Sequence, residues 1–186
     1  MKKNITFIVA VLCSVLVFSQ EKGNKEYSKE ALYGVRAGYN ISNLDYDPDA
    51  TFSNKHRNGF AFAFVAQYPL SGTFAFSPEV QFSAEGAKSR DKKINYIQAP
   101  LIFKLKIAEN LSLGVGPMVG IKLHQDEVKD YYKDLAFSGV GVLEYMITED
   151  IFIDARYHYG LTNIIESGNS FEAKNTCIQL GVGFRL

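Results

Sequence analysis

Tryptophan is absent from the 186 residues, cysteine occurs twice, and neither sign of charge prevails, since 20 basic residues face 20 acidic ones. A chain without basic excess carries no electrostatic footprint for nucleic acid, so that class of partner is excluded. Long apolar runs are also missing. Beyond the first twenty residues nothing approaches the roughly 20 consecutive apolar residues that a spanning helix needs, which excludes a helical membrane protein. Of the two cysteines, Cys13 lies in the N-terminal apolar stretch and Cys177 near the far end. Once the leader is removed a single thiol is left and no internal disulfide is possible. Cys177 is read as a small residue in a strand rather than as a nucleophile.

The opening MKKNITFIVAVLCSVLVFSQ places Lys2 and Lys3 before an apolar stretch from Ile5 to Phe18, with Val17-Phe18-Ser19 before Gln20. This is the pattern of an export signal over residues 1–19. Cys13 sits mid-stretch behind Leu12, where a lipoprotein would need a small residue. Without Lys2 and Lys3 the chain has 18 basic against 20 acidic residues. Residues 20–31 then read as an N-terminal periplasmic segment, and everything beyond as one domain.

What the sequence has in abundance is alternation. In GFAFAFVAQYPLSGTFAFSPEVQF, residues 59–82, aromatics take almost every second position. Period-2 alternation gives a strand one apolar and one small or polar face. The same division recurs through LYGVRAGYNIS, NYIQAPLIFKLK, LSLGVGPMVGIKL, FIDARYHYG and NTCIQLGVGFRL, and less regularly through LAFSGVGVLEYMI, where both faces carry apolar residues. Eight strands result. Connections near 43–57, 86–93, 124–134 and 162–174 are long and polar, and those near 69–72, 107–110 and 148–151 are short. Regular exchange of long and short connections marks an up-and-down barrel that crosses a membrane, with short periplasmic turns and long external loops. The expectation is therefore all-β: an eight-stranded antiparallel up-and-down transmembrane β-barrel over residues 32–186. Tyr33, Tyr68 and Phe74 would mark its periplasmic rim and Tyr39, Phe60 and Phe82 its outer one. Pro78, awkward in a central strand, is expected at a bulge.

The soluble rival is a lipocalin-like carrier with its apolar face inward. The missing tryptophan, the alternating loop lengths and the glycine-rich polar face oppose it. On the barrel reading, Arg36, Glu79, Glu85, Lys104, Glu144, Asp154 and Arg156 point inward and pair across the lumen. A three-residue connection, Glu149 to Ile151, would set Glu144 opposite Arg156. An acyl hydrolase would need Ser83, Glu85 and a histidine near the outer rim. His56, His124 and His158 all fall at or beyond that rim, but His158 faces the lumen and no nucleophile elbow is present. The histidines have no short metal-ligand spacing. No catalytic, cofactor-binding or metal-binding residue is therefore assigned, and no cofactor.

Taken in series, GVRAGYNISNL, FSPEVQFSAEGAK, INYIQAPLIFKLK, GVGPMVGIKL and ARYHYGLTNI, followed by a final amphipathic strand, resemble the PorT-like outer-membrane β-barrel proteins of Bacteroidota. The resemblance covers nearly the whole mature chain. It implies insertion into the outer membrane, and its namesake serves as an accessory to a protein-secretion system. The function expected is thus a non-catalytic, monomeric barrel of the cell outer membrane with a plugged lumen. Its partners are outer-membrane lipid and other envelope or secretion-system proteins.

Overall fold

The computed structural model describes residues 30–47, 55–88, 93–123, 133–165 and 172–186; the leader and His124 lie outside them. Eight strands follow in order: β1 (Leu32–Asp47), β2 (Arg57–Pro69), β3 (Phe74–Gly86), β4 (Lys93–Lys106), β5 (Leu111–Lys122), β6 (Leu135–Met146), β7 (Ile151–Gly160) and β8 (Glu172–Arg185). Each pairs antiparallel with the next, and β8 returns to β1, so the sheet is a closed barrel. Closure leaves no unpaired sheet edge, the condition for a strand to stand in hydrocarbon.

The two faces of every strand have opposite chemistry. Outward side chains are apolar and exposed, among them Phe62, Phe64 at 74%, Val115 at 66%, Phe103, Ile121 and Leu180. Inward ones are polar and buried, among them Arg36, Asn40, Gln81, Gln98 and Gln179. A soluble protein puts these the other way round. Aromatic residues gather towards the ends: Phe60 lies 5.6 Å from Phe82 and Tyr157 6.4 Å from Tyr159, ring centre to ring centre, near the long loops. Tyr33, Tyr68 and Tyr145 stand exposed near the short turns. The irregular sixth strand keeps strict parity. Its inward Val140 and Val142 pack with Ile102 and Met118 inside the barrel, which is why both of its faces read as apolar.

The strands run further than alternation suggested. β1 continues to Asp47 because it pairs with the start of β8, Asn43 with Thr176 and Leu44 with Asn175. The three short turns share one build. In each, four residues separate the strands, 70–73, 107–110 and 147–150. The first two of the four donate their N–H groups to the carbonyl of the first residue of the next strand: Leu70 and Ser71 to Phe74, Ile107 and Ala108 to Leu111, Ile147 and Thr148 to Ile151. Ser71 Oγ and Thr148 Oγ1 accept further N–H bonds within their turns, as such hydroxyls do.

Two expectations are corrected here. Pro78 makes no bulge: Val65 faces Glu79 on one side of it and Tyr68 faces Phe76 on the other, in unbroken register. Proline only withholds one N–H. Ser77 Oγ takes its place by donating to the Ala66 carbonyl at 2.9 Å. The second correction concerns the turn after β6. Its four residues set Glu144 opposite Asp154, and Arg156 opposite Val142.

Glycine is required where strands close in. A Cβ on Gly116 would stand 1.9 Å from the Leu101 carbonyl oxygen, a backbone atom that cannot turn aside. Gly116→Ala is expected to lower stability by about 1–3 kcal/mol, the usual cost of overpacking. Unfolding in urea, followed by the gel shift between folded and unfolded barrel, measures it.

Candidate functional site

The chemistry of this chain is inside the barrel, in layers. Nearest the short turns, Glu144 receives Lys104 Nζ at 2.6 Å and an Arg185 Nη at 2.7 Å. The Phe152 ring lies beneath both cations, with centroid distances of 5.9 and 5.6 Å. Across the middle, Arg36 forms a two-pronged pair with Asp154. Arg156 does the same with Glu79 at 2.6 and 3.1 Å and also reaches Asp154. Gln179 joins Arg36 to Asn40. All seven inward charges expected from the sequence are buried; the half-buried Arg185 pairs with one of them, Glu144.

The like-charged neighbours Glu144 and Asp154 are compatible because each carboxylate is met by two cations: Glu144 by Lys104 of β4 and Arg185 of β8, Asp154 by Arg36 of β1 and by Arg156 two residues along its own strand. In so narrow a barrel an inward side chain reaches across the lumen as easily as along the ladder. Buried ions demand such partners, since an unpaired one costs several kcal/mol.

Above this network lies a cluster centred on Glu85. Ser83 Oγ donates to Glu85 Oε1 at 2.6 Å, Gln98 Nε2 donates to the same atom at 3.0 Å, and Asn175 Nδ2 donates to Oε2. His158 Nδ1 stands 3.6 Å from Oε1, and His158 faces Cys177 across the β7–β8 ladder. Glu79, Glu144 and Asp154 are met by arginine or lysine, whereas the carboxylate of Glu85 is met by neutral donors and an imidazole, and Arg57 donates to the Glu85 carbonyl. Above the cluster, towards the long loops, the inward positions are mostly apolar, with the buried Lys122 opposite Tyr96. Leu44, Ala87, Ile94, Tyr96, Ala136, Ile164, Ile165 and Ala173 pack together across the mouth, with Tyr46 against them.

Ser83, Glu85 and His158, the trio an acyl hydrolase would use, are therefore neighbours, but not as a nucleophile and its base. The Ser83 proton points to Glu85, and neither His158 nitrogen has a hydrogen-bond partner. His158 is 1% exposed and lies within the wall rather than at the rim. His56 is exposed, opposite Ala87. Sequence reading missed the gathering of Glu85, His158 and Cys177 because they are remote in the chain. The usable signal was parity, which turns all three inward near one end.

The comparisons with known proteins agree with this architecture. The family model described as outer membrane protein beta-barrel domain matches residues 18–166. Neisserial surface protein A superposes with a TM-score of 0.58 at 13% identity, over 84% of this chain and 99% of its own. Ail, the attachment invasion locus protein of Yersinia pestis, superposes with a TM-score of 0.55 at 17% identity, over 84% and 99%. At such identities the likeness is one of fold. No curated protein sequence matches the chain.

Proposed function

The chain belongs to the outer membrane protein beta-barrel domain family, and from that premise we propose that it is a non-catalytic, monomeric barrel with a plugged lumen, acting through its surfaces as a structural or partner-docking element. Its place is the outer membrane, where lipid covers the apolar wall. Export through the leader at 1–19 and a periplasmic segment at 20–31 are part of this reading, and the long loops then face the outside.

The observation that supports the proposal is the set of buried, paired side chains inside the barrel. The buried ion pairs span the lumen from wall to wall, the apolar layer lies across one mouth, and a cavity lined by Gln67, Lys104, Phe152 and Arg185 near the other measures about 10 Å³, room for about one water. Purified protein in planar bilayers is expected to show no stable conductance; regular open channels of nanosiemens size would refute the plugged lumen. The resemblance to PorT-like proteins supports a more specific reading, an accessory to a protein-secretion system. Crosslinking in intact membranes followed by purification would then recover subunits of that machinery, and deletion would reduce secretion. Recovery of the barrel with lipid alone would leave it as a structural element.

A further inference from the structure

We propose that Glu85, His158 and Cys177 form a binding site for a single divalent cation of the zinc class, held inside the barrel beneath the apolar layer at its loop end. One carboxylate oxygen, one imidazole nitrogen and one sulfur lie within 4.8 Å of one another, and all three residues are buried. A mixed sulfur, nitrogen and oxygen set suits zinc, which takes bonds of about 2.3 Å to sulfur and about 2.0–2.2 Å to nitrogen and oxygen. Tetrahedral angles then require ligand atoms about 3.4–3.6 Å apart. His158 Nδ1 and Glu85 Oε1, at 3.6 Å, already meet that spacing.

The surroundings are those of a ligand set. His158 is 1% exposed, its Nε2 has no partner and its Nδ1 has only the 3.6 Å approach to Glu85, too long for a hydrogen bond, a costly state for a buried imidazole unless something takes the lone pair. Glu85 offers roughly four lone-pair directions. Ser83, Gln98 and Asn175 occupy three and hold the carboxylate in place, as hydrogen bonds from neighbouring residues do for metal-bound carboxylates. The Tyr96 hydroxyl and the Asn175 carbonyl oxygen also lack partners. Tyr96 faces Ser83 across the ladder and Asn175 holds Glu85, so both residues border the cluster. Charge agrees too. The Cys177 thiol proton leaves to solvent on binding, and one thiolate plus one carboxylate neutralises a divalent ion in a site where no arginine or lysine hydrogen-bonds the Glu85 carboxylate and the nearby Arg57 guanidinium is held on the Glu85 carbonyl instead.

The test uses the full mature chain refolded in detergent with Co(II) or Zn(II), desalted, and assayed for metal by mass spectrometry. Folding is monitored separately by the gel shift on heating. About one cobalt per folded barrel is expected, with tetrahedral visible bands and thiolate-to-cobalt absorption in the near ultraviolet. Cys177→Ser should abolish the thiolate band, and His158→Gln should weaken retention about tenfold or more. Should either variant fail to fold, X-ray absorption of the zinc-loaded wild-type barrel decides, because it must show one sulfur at about 2.3 Å. Folded wild type without retained metal, a metal shell without sulfur, or undiminished retention by folded His158→Gln would each overturn the proposal.

Discussion

Replacing Arg156 with glutamine should be among the most damaging single changes in the barrel, at a cost on the order of 3–5 kcal/mol. Arg156 is the shared cation of Glu79 and Asp154, and the side chains of all three are 0% exposed. Glutamine leaves Glu79 without its two-pronged partner, and no solvent is at hand to screen the carboxylate. Asp154 fares better because Arg36 still holds it. Adding Glu79→Gln to Arg156→Gln should therefore restore much of the loss, so the double-mutant cycle is strongly non-additive. The contrast is Lys122 with Asp134, a pair at the loop end whose lysine is 5% exposed but whose acid is 80% exposed and solvated; Lys122 has a further interaction, so removing that acid should cost less than losing Arg156. Urea titrations in detergent, read by the gel shift, measure all of these. Additive losses, or a cost for Arg156→Gln as small as that for removing Asp134, would mean that water fills the lumen.

The fold was legible because alternation is a strong signal when a strand has lipid on one side and a crowded lumen on the other. Each of Val35, Phe62, Phe103, Leu113, Tyr157 and Leu180 faces outward as its parity required. Register was less legible, and the turn after β6 shows why. Placing Glu144 opposite Arg156 rests on the premise that an inward charge finds its partner on the adjacent strand. The barrel is narrow enough that Glu144 instead finds Lys104 and Arg185, each two strands away, on β4 and β8. Comparing the three short connections would have been the better guide. Leu-Ser-Gly-Thr, Ile-Ala-Glu-Asn and Ile-Thr-Glu-Asp each begin with an aliphatic residue followed by a small or hydroxyl-bearing one, and all three fold into the same four-residue turn. The cluster at Glu85 was out of reach for a different reason. Its members come from β3, β7 and β8, so no local spacing records it, and only a closed barrel brings the third strand near the eighth.

Neighbouring residues Phe62 and Ala63 give the second large effect and decide the solvent. Phe62 stands on the outer wall, 58% exposed, halfway along β2 and paired with Ala37 and Phe82 on the flanking strands. Phe62→Arg places a charge against hydrocarbon near the midplane, so the folded fraction in lipid vesicles should fall by the equivalent of about 2–4 kcal/mol. Were that wall in water, the same change would exchange an exposed aromatic ring for a solvated cation at a cost within about 0.5 kcal/mol. Ala63 points the other way, 5% exposed, between Arg36 and Gln81. A serine there adds one hydroxyl among groups that can bond it, and Ala63→Ser should change stability by less than about 1 kcal/mol. The two substitutions are one residue apart in sequence and face opposite environments. Equal damage from both would reverse the assignment of inside and outside, and with it the placement of this chain's polar interior and apolar wall.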